Sequence, residues 1–149
     1  MEFQSADITE IVTGIWTSML GFPIETRGER ATFDDESSVI SARVLITGEW
    51  DGAVVINCPE TLGRKVATAM LQDEDVQMTL GTVFDAVGEV TNMTAGNVKN
   101  IISGLCRLTT PNVTDEEDYS HTQDGRSVFE ASFDCGDEAF SLFILEQAA

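Results

Sequence analysis

Apolar residues recur along the chain with two different periods, and the switches between them mark out the elements. From 5 to 21, Ile8, Ile11, Val12, Ile15, Met19 and Leu20 repeat at three- and four-residue spacing, which predicts an amphipathic helix. Asp7 followed by Glu10 fits a capping box at its start, and Gly21 with Pro23 fits a stop. Between Ser37 and Glu49 the period falls to two. Val39, Ser41, Arg43 and Leu45 lie toward one side, and Ile40, Val44 and Ile46 near the other. Trp50-Asp51-Gly52 reads as a hairpin turn and Ala53–Asn57 as a short buried returning strand.

Pro59 opens a second predicted helix over about 59–72, with Leu62, Val66, Ala69 and Met70 inward. Gln72-Asp73-Glu74-Asp75 is an acidic connector, and a long helical pattern then runs from Met78 to Leu105. The chain closes with strand candidates Arg107–Thr114, Ser127–Asp134 and Ala139–Leu145, the last two joined by a Cys135-Gly136-Asp137 turn. Phe129, Ala131 and Phe133 alternate with Glu130, Ser132 and Asp134, the pattern of a half-buried strand. Asp115–Gly125 is a polar, acidic loop. No internal repeat, low-complexity tract or interdomain linker interrupts this order. Helix, hairpin, helices and then strands predict one α+β domain over 1–149, with a mostly antiparallel β-sheet packed by long α-helices. A chain of 149 residues buries an adequate core without disulfides.

Charge removes several functions. Lys plus Arg number 8 against 26 Asp plus Glu, a net −18, so clustered cations for nucleic-acid phosphates or an anionic membrane are missing. No apolar run approaches the ~18 residues of a membrane span. Met1-Glu2 leads into no basic, then apolar, leader pattern. Cys58, Cys106 and Cys135 are scattered and odd in number, which fits reduced thiols. The expected address is the cytoplasm.

Standard sites are also weak. His121 is the single histidine and sits in the polar loop, too little for a His-based triad or a His/Cys zinc site. Asp115-Glu116-Glu117-Asp118 lacks the alternation and glycine of a calcium loop. There is neither a P-loop nor a G-x-G-x-x-G. Phe3, Phe22, Phe33, Trp16 and Trp50 are candidates for core or interface, with core the default.

The 78–105 helix differs. With Glu89 at 0° on a wheel of ~100° per residue, Leu80, Val83, Phe84, Val87, Val98, Ile101, Ile102 and Leu105 fall between about 120° and 220°. Asp85, Asn92, Gly96 and Lys99 fall between roughly −20° and −80°, beside Glu89 and away from that stripe. A solvated helix face accounts for Asp85 and Lys99. It accounts less well for Gly88, Asn92, Gly96 and Asn97, since Asn and Gly are weak helix formers. Small residues beside a carboxylate and an amide let another backbone come close.

The stretch Asp85-Ala-Val-Gly-Glu89-Val-Thr-Asn92-Met-Thr-Ala-Gly96-Asn97-Val-Lys99 resembles the signature helix of the CheC/CheX/FliY chemotaxis phosphatases, and the CheX branch in particular. That signature is Asp or Ser, three residues, Glu, two residues, Asn, and later a Pro, here matched by Pro111 in Leu108-Thr109-Thr110-Pro111. The resemblance implies hydrolysis of the aspartyl phosphate of a phosphorylated CheY-type response regulator. Glu89 and Asn92 would be the catalytic dyad, with Asn92 placing the attacking water and Glu89 pairing with a lysine of the regulator. Asp85, Gly96 and Lys99 would face the partner. No cofactor is implied on this chain, because the Mg²⁺ would belong to the regulator. A homodimer built through its β-sheets is implied as well. The rival reading is a non-catalytic, CheX-like dimeric adaptor that docks on a receiver domain or a flagellar-switch partner.

Overall fold

The computed structural model describes residues 2–33, 38–72, 77–121 and 125–147. Its spine is the predicted hairpin. Strand β2 (Val39–Gly48) pairs with β3 (Gly52–Pro59) in one unbroken register, Val39 opposite Pro59 and Ile46 opposite Gly52. Ser37, placed at the start of this strand by the sequence pattern, lies outside the described residues, as do Asp73, Glu74 and Asp75 of the acidic connector.

The C-terminal strands add to the hairpin's other side. Strand β6 (Gly125–Cys135) pairs with β7 (Glu138–Gln147), and β7 pairs with β3. A short strand β1 (Glu25–Arg27) lies along the outer edge of β6. On the far edge, β4 (Cys106–Leu108) and β5 (Asn112–Thr114) both pair with β2. The seven strands form one antiparallel sheet in the order β1-β6-β7-β3-β2-β4, with β5 also on β2. This is the α+β, antiparallel fold class that the residue pattern predicts.

The predicted Arg107–Thr114 strand is broken in two. Leu108 stands opposite Ile46 and Asn112 opposite Arg43, so four steps along the edge strand match three along β2. The extra residue is a bulge at Thr109–Pro111, where Pro111 has no N–H to continue the ladder. Thr109 holds it to the sheet: its N–H donates to Leu45 O at 3.0 Å, and its Oγ1 accepts from the Leu45 N–H at 3.1 Å.

The helices cover one face of the sheet. Helix α1 (Ser5–Thr13) passes into a π-helix (Gly14–Met19), followed later by α2 (Glu60–Leu71) and α3 (Leu80–Ile101). Under them lie Ile40, Val44 and Ile46 of β2, Val54 and Ile56 of β3, and Leu142 and Ile144 of β7, each at most 1% exposed. Trp16 stacks on Phe140 with ring centroids 4.0 Å apart, and Phe140 in turn on Phe133 at 5.2 Å. Trp16 and Phe3 therefore belong to the core. Trp50 and Phe22 pack against it while half-exposed. Ala53, Val55, Phe143 and Leu145 form a second small cluster together with Leu45 and Tyr119.

The first helix departs from the predicted wheel at one point. A regular helix would carry Met19 inward with Ile15, but the π-turn widens the coil, marked by Leu20 N–H donating to Ile15 O at 3.1 Å. Leu20 is buried as the wheel predicts, but Trp16 takes the inward place of Met19, which is 60% exposed. Among the described residues no helix is long and apolar enough to cross a membrane.

Candidate functional site

Helix α3 begins where Thr79 accepts the Thr82 N–H on its Oγ1 at 3.1 Å, a cap of the kind worth about 1 kcal/mol. It ends at Ile101, short of the predicted Leu105. Ile102 is already extended, and Gly104 takes a φ of 109° beside the Glu49 side chain, a conformation that no helix continues through. Leu105 is consequently 85% exposed, and Leu80 and Ile101 at the helix ends are exposed too.

The buried arc is wider than the apolar stripe suggests. Besides Val83, Val87 and Val98 it takes in Ala86, Gly88, Val90, Thr91, Thr94 and Ala95. Thr91 and Thr94 are tolerated there because each hydroxyl donates to the carbonyl four residues back, Val87 O and Val90 O, both at 2.8 Å. What remains outside is the side centred on Glu89. Asp85 and Glu89 are exposed, and Asn92, Gly96 and Lys99 are half-exposed. The helix thus brings all five residues singled out from the sequence onto one accessible ridge. From Asp85 to Lys99 the ridge spans about 21 Å at ~1.5 Å per residue.

The side chains on this ridge are unengaged. Among the described residues, the carboxylates of Asp85 and Glu89, the Asn92 amide and the Lys99 ammonium have no hydrogen-bond or ion-pair partner. Asn97 makes the contrast plain: its Nδ2 donates to Met93 O at 2.9 Å, so that amide is spent on its own helix. Glu89 and Asn92 stand one turn apart, facing the same way, with their polar atoms free for a ligand.

A second wall stands beside the ridge. The Thr109–Pro111 bulge leans over α3 at Gly88. A Cβ on Gly88 would lie 3.1 Å from Val113 Cγ2 and 3.3 Å from Pro111 Cβ. Between the bulge and the helix is a shallow cavity of about 490 Å³, with Phe84, Pro111 and Val113 as its apolar lining and Asp85, Glu89 and Thr110 as its polar one. The sequence pattern singled out Pro111 and Gly88, but for separate reasons. It put Phe84 in the core and named Thr110 only as a neighbour of Pro111. Their meeting depends on the bulge, which only the pairing of β4 and β5 with β2 fixes. Gly96 is different: an added Cβ would meet only Leu108 Cδ1, at 3.9 Å.

The arrangement suits positioning more than proton transfer. An exposed carboxylate can pair with an incoming cation, and an amide one turn away offers both donors and an acceptor to a water. His121 is remote in kind, an exposed side chain whose Nε2 lies 3.5 Å from Asp118 Oδ2. Asp118 itself serves the loop, accepting from Asn57 Nδ2 at 3.0 Å and from the Ser120 N–H at 2.9 Å.

Comparison with known proteins bears on the family and the fold. Residues 40–134 match the family model described as chemotaxis phosphatase CheX. No curated protein matches the chain by sequence. Among solved structures, the chain is similar to CheX in the CheX–CheY–BeF3–Mg²⁺ complex of Borrelia burgdorferi, with a TM-score of 0.74, 17% identity, and 96% and 97% of the two chains covered. Chemotaxis protein CheX of Desulfovibrio desulfuricans gives a TM-score of 0.73 and 24% identity over 95% and 98% of the two chains. Chemotaxis protein CheX of Vibrio vulnificus gives 0.71 and 19% over 95% and 94%.

Proposed function

Because the chain belongs to the chemotaxis phosphatase CheX family, we propose that it hydrolyses the aspartyl phosphate of a phosphorylated CheY-type response regulator, with α3 as the catalytic helix. The observation that carries this reading is the pair Glu89 and Asn92, one turn apart, accessible and without internal partners, beside the Pro111 bulge.

The roles follow from residue chemistry. Asn92 does not titrate, so it is no general base. Its amide holds a water and sets it in line with the phosphorus. Hydrolysis of a phosphoryl group is governed by positioning and charge management, so a fixed water is a sufficient contribution in kind. Glu89 pairs with a lysine at the regulator's active site and fixes the register of docking. Asp85, Gly96 and Lys99 extend the contact along the ridge, Gly96 by letting the regulator's backbone approach. The Mg²⁺ is the regulator's own, held by carboxylate and phosphoryl oxygens, where it neutralises charge.

The working unit is a homodimer built through its β-sheets, and the compartment is the cytoplasm, where CheY-type regulators act. Light scattering at micromolar concentration tests the first; a monomer mass overturns it. The function is tested by following the decay of a phosphorylated CheY-type regulator in Mg²⁺, with this protein and with its Asn92→Ala variant. Acceleration by the parent alone is the expected result. Binding without acceleration would reassign the chain to the adaptor reading.

A further inference from the structure

We infer that the groove between the π-helix and the C-terminal half of α3 is a second docking surface for the same regulator, and that it receives an amphipathic helix bearing lysine or arginine. This rests on the proposed phosphatase reading for the identity of the partner, and on four separate observations for the groove.

The first is its shape and floor. Met19 and Ile101 border a cavity of about 430 Å³ and are 60% and 41% exposed. Met19 stands out because the π-turn swings it there, and π-turns inside helices are rare and concentrate at functional sites. The second is Gly14. It is exposed and helical, with φ −59° and ψ −44°, and an added Cβ would meet nothing within 4 Å. The fold does not require glycine there, yet glycine in a helix costs about 1 kcal/mol relative to alanine. A bare stretch of helix is what a closely packed partner needs.

The third is charge. Asp7 and Glu10 lie on the rim, and among the described residues no Lys, Arg or His lines the groove. Among the described residues neither carboxylate has an ion-pair or hydrogen-bond partner. An occupant that seals the groove covers two apolar side chains and lies beside two acids, whose charge favours cations on its flank. A helix laid in the furrow between two helices does both, with its apolar stripe down and its basic residues on the flank. The fourth is continuity. Asn97, on the groove's α3 wall, lies ~80° round the helix from Glu89, with half-exposed Met93 and exposed Asn100 between them. The groove is therefore the next accessible face of α3, which a regulator seated on the Glu89–Asn92 ridge reaches by wrapping round the helix.

The test uses a CheY-type regulator held in its phosphorylated form by beryllium fluoride and Mg²⁺ for binding, and the phosphorylated regulator for turnover. The variants are Gly14→Lys, which places bulk and a cation where there is open space, and the double change Asp7→Lys with Glu10→Lys. Both are expected to raise KM about tenfold, the size of one strong interface contact, with kcat and helical content unchanged. Amide hydrogen exchange of the parent is expected to slow at 8–19 and 97–101 on binding. Unaltered KM in both variants overturns the inference. So does a shift from dimer to monomer in Gly14→Lys, which would give the groove to a second copy. If the parent binds but does not accelerate decay, the phosphatase reading fails, while exchange protection in the groove still decides the docking surface.

Discussion

Pro111 rests on Gly88. A β-carbon at Gly88 would lie 3.3 Å from the Pro111 Cβ, with Val113 Cγ2 closer still at 3.1 Å, so the bulge sits on α3 at a point where the helix has no side chain. Glu89 follows Gly88 directly. The seat of the bulge and the carboxylate proposed for docking thus share one turn of helix, and the Thr109 hydrogen bonds to Leu45 tie the bulge to β2. The wall beside the ridge is anchored at sheet and helix alike, which is what keeps a docking surface preformed.

Replacing Gly88 by valine is expected to lift the bulge while leaving α3 helical. Dephosphorylation should fall about tenfold or more, since sub-ångström misplacement near a positioned group is costly. Amide exchange at 109–113 should quicken. The companion change Gly96→Ala meets only Leu108 Cδ1 at 3.9 Å. It should raise stability by up to about 1 kcal/mol while KM for the regulator rises, because it fills a gap left for the partner. Unchanged KM in Gly96→Ala would remove Gly96 from the interface.

Asn92→Ala separates function from folding with opposite signs. Asn92 is half-exposed and makes no bond within the chain among the described residues, so nothing structural is lost with its amide. Alanine is the better helix former by roughly 0.5 kcal/mol, so Tm should hold or rise. The acceleration of phosphoaspartate decay should drop by about two orders of magnitude, the cost of a misplaced reactant. A variant that melts earlier, or one that keeps its activity, would contradict the assigned role.

How far the sequence went depends on whether a feature is local. The accessible ridge of α3 was legible because a regular helix repeats every 3.6 residues, so Glu89 and Asn92 fall on the same side whatever surrounds them. The β2–β3 hairpin was legible from alternation closed by Asp51-Gly52. Three features were not. Strand β1 consists of Glu25, Thr26 and Arg27, a polar edge with no apolar period to betray it. Met19 was placed inward because a wheel assumes constant pitch, which the π-turn breaks. The wall formed by Thr110 and Pro111 arises from one surplus residue in a pairing with Arg43 and Ile46, more than 60 positions away. Local patterns do not encode such a register.

Asp118 is expected to be a structural acid, felt at low pH. Desolvation opposes its charged form, but hydrogen bonds from the Ser120 side chain and backbone and from Asn57 outweigh it and hold the pKa below the ordinary 3.8. A carboxylate depressed in the folded state contributes stability above its unfolded pKa, and that contribution is lost as pH falls through the folded one. The charge-linked stability conferred by Asp118 should therefore be constant from neutrality down to about pH 5 and be lost below 3.8, as pH falls through the folded pKa. Asp118→Ala should cost about 1–2 kcal/mol at neutral pH, because it leaves the Nδ2 of Asn57, a residue 4% exposed, without this acceptor. Urea titrations of parent and variant should draw closer in acid as the charge-linked part is lost, while the part owed to Asn57 remains; a gap that does not change with pH would refute the linkage.

Glu89→Gln tests docking rather than chemistry, and salt is its readout. The chain carries a net −18, and the regulator's phosphorylated site is itself acidic in this reading, so long-range forces oppose association. A local pair between Glu89 and a lysine has to overcome that repulsion at close range. Gln keeps the side chain's length and its helix propensity but removes the charge, so folding should be unaffected. At low ionic strength kcat/KM is expected to fall about tenfold, through KM more than kcat. As salt rises toward 0.5 M, screening weakens the pair in the parent as well, and the gap between the two proteins should narrow. A deficit that resides in kcat and does not respond to salt would make Glu89 part of the chemical step instead, in contact with the water or the phosphoryl group alongside Asn92.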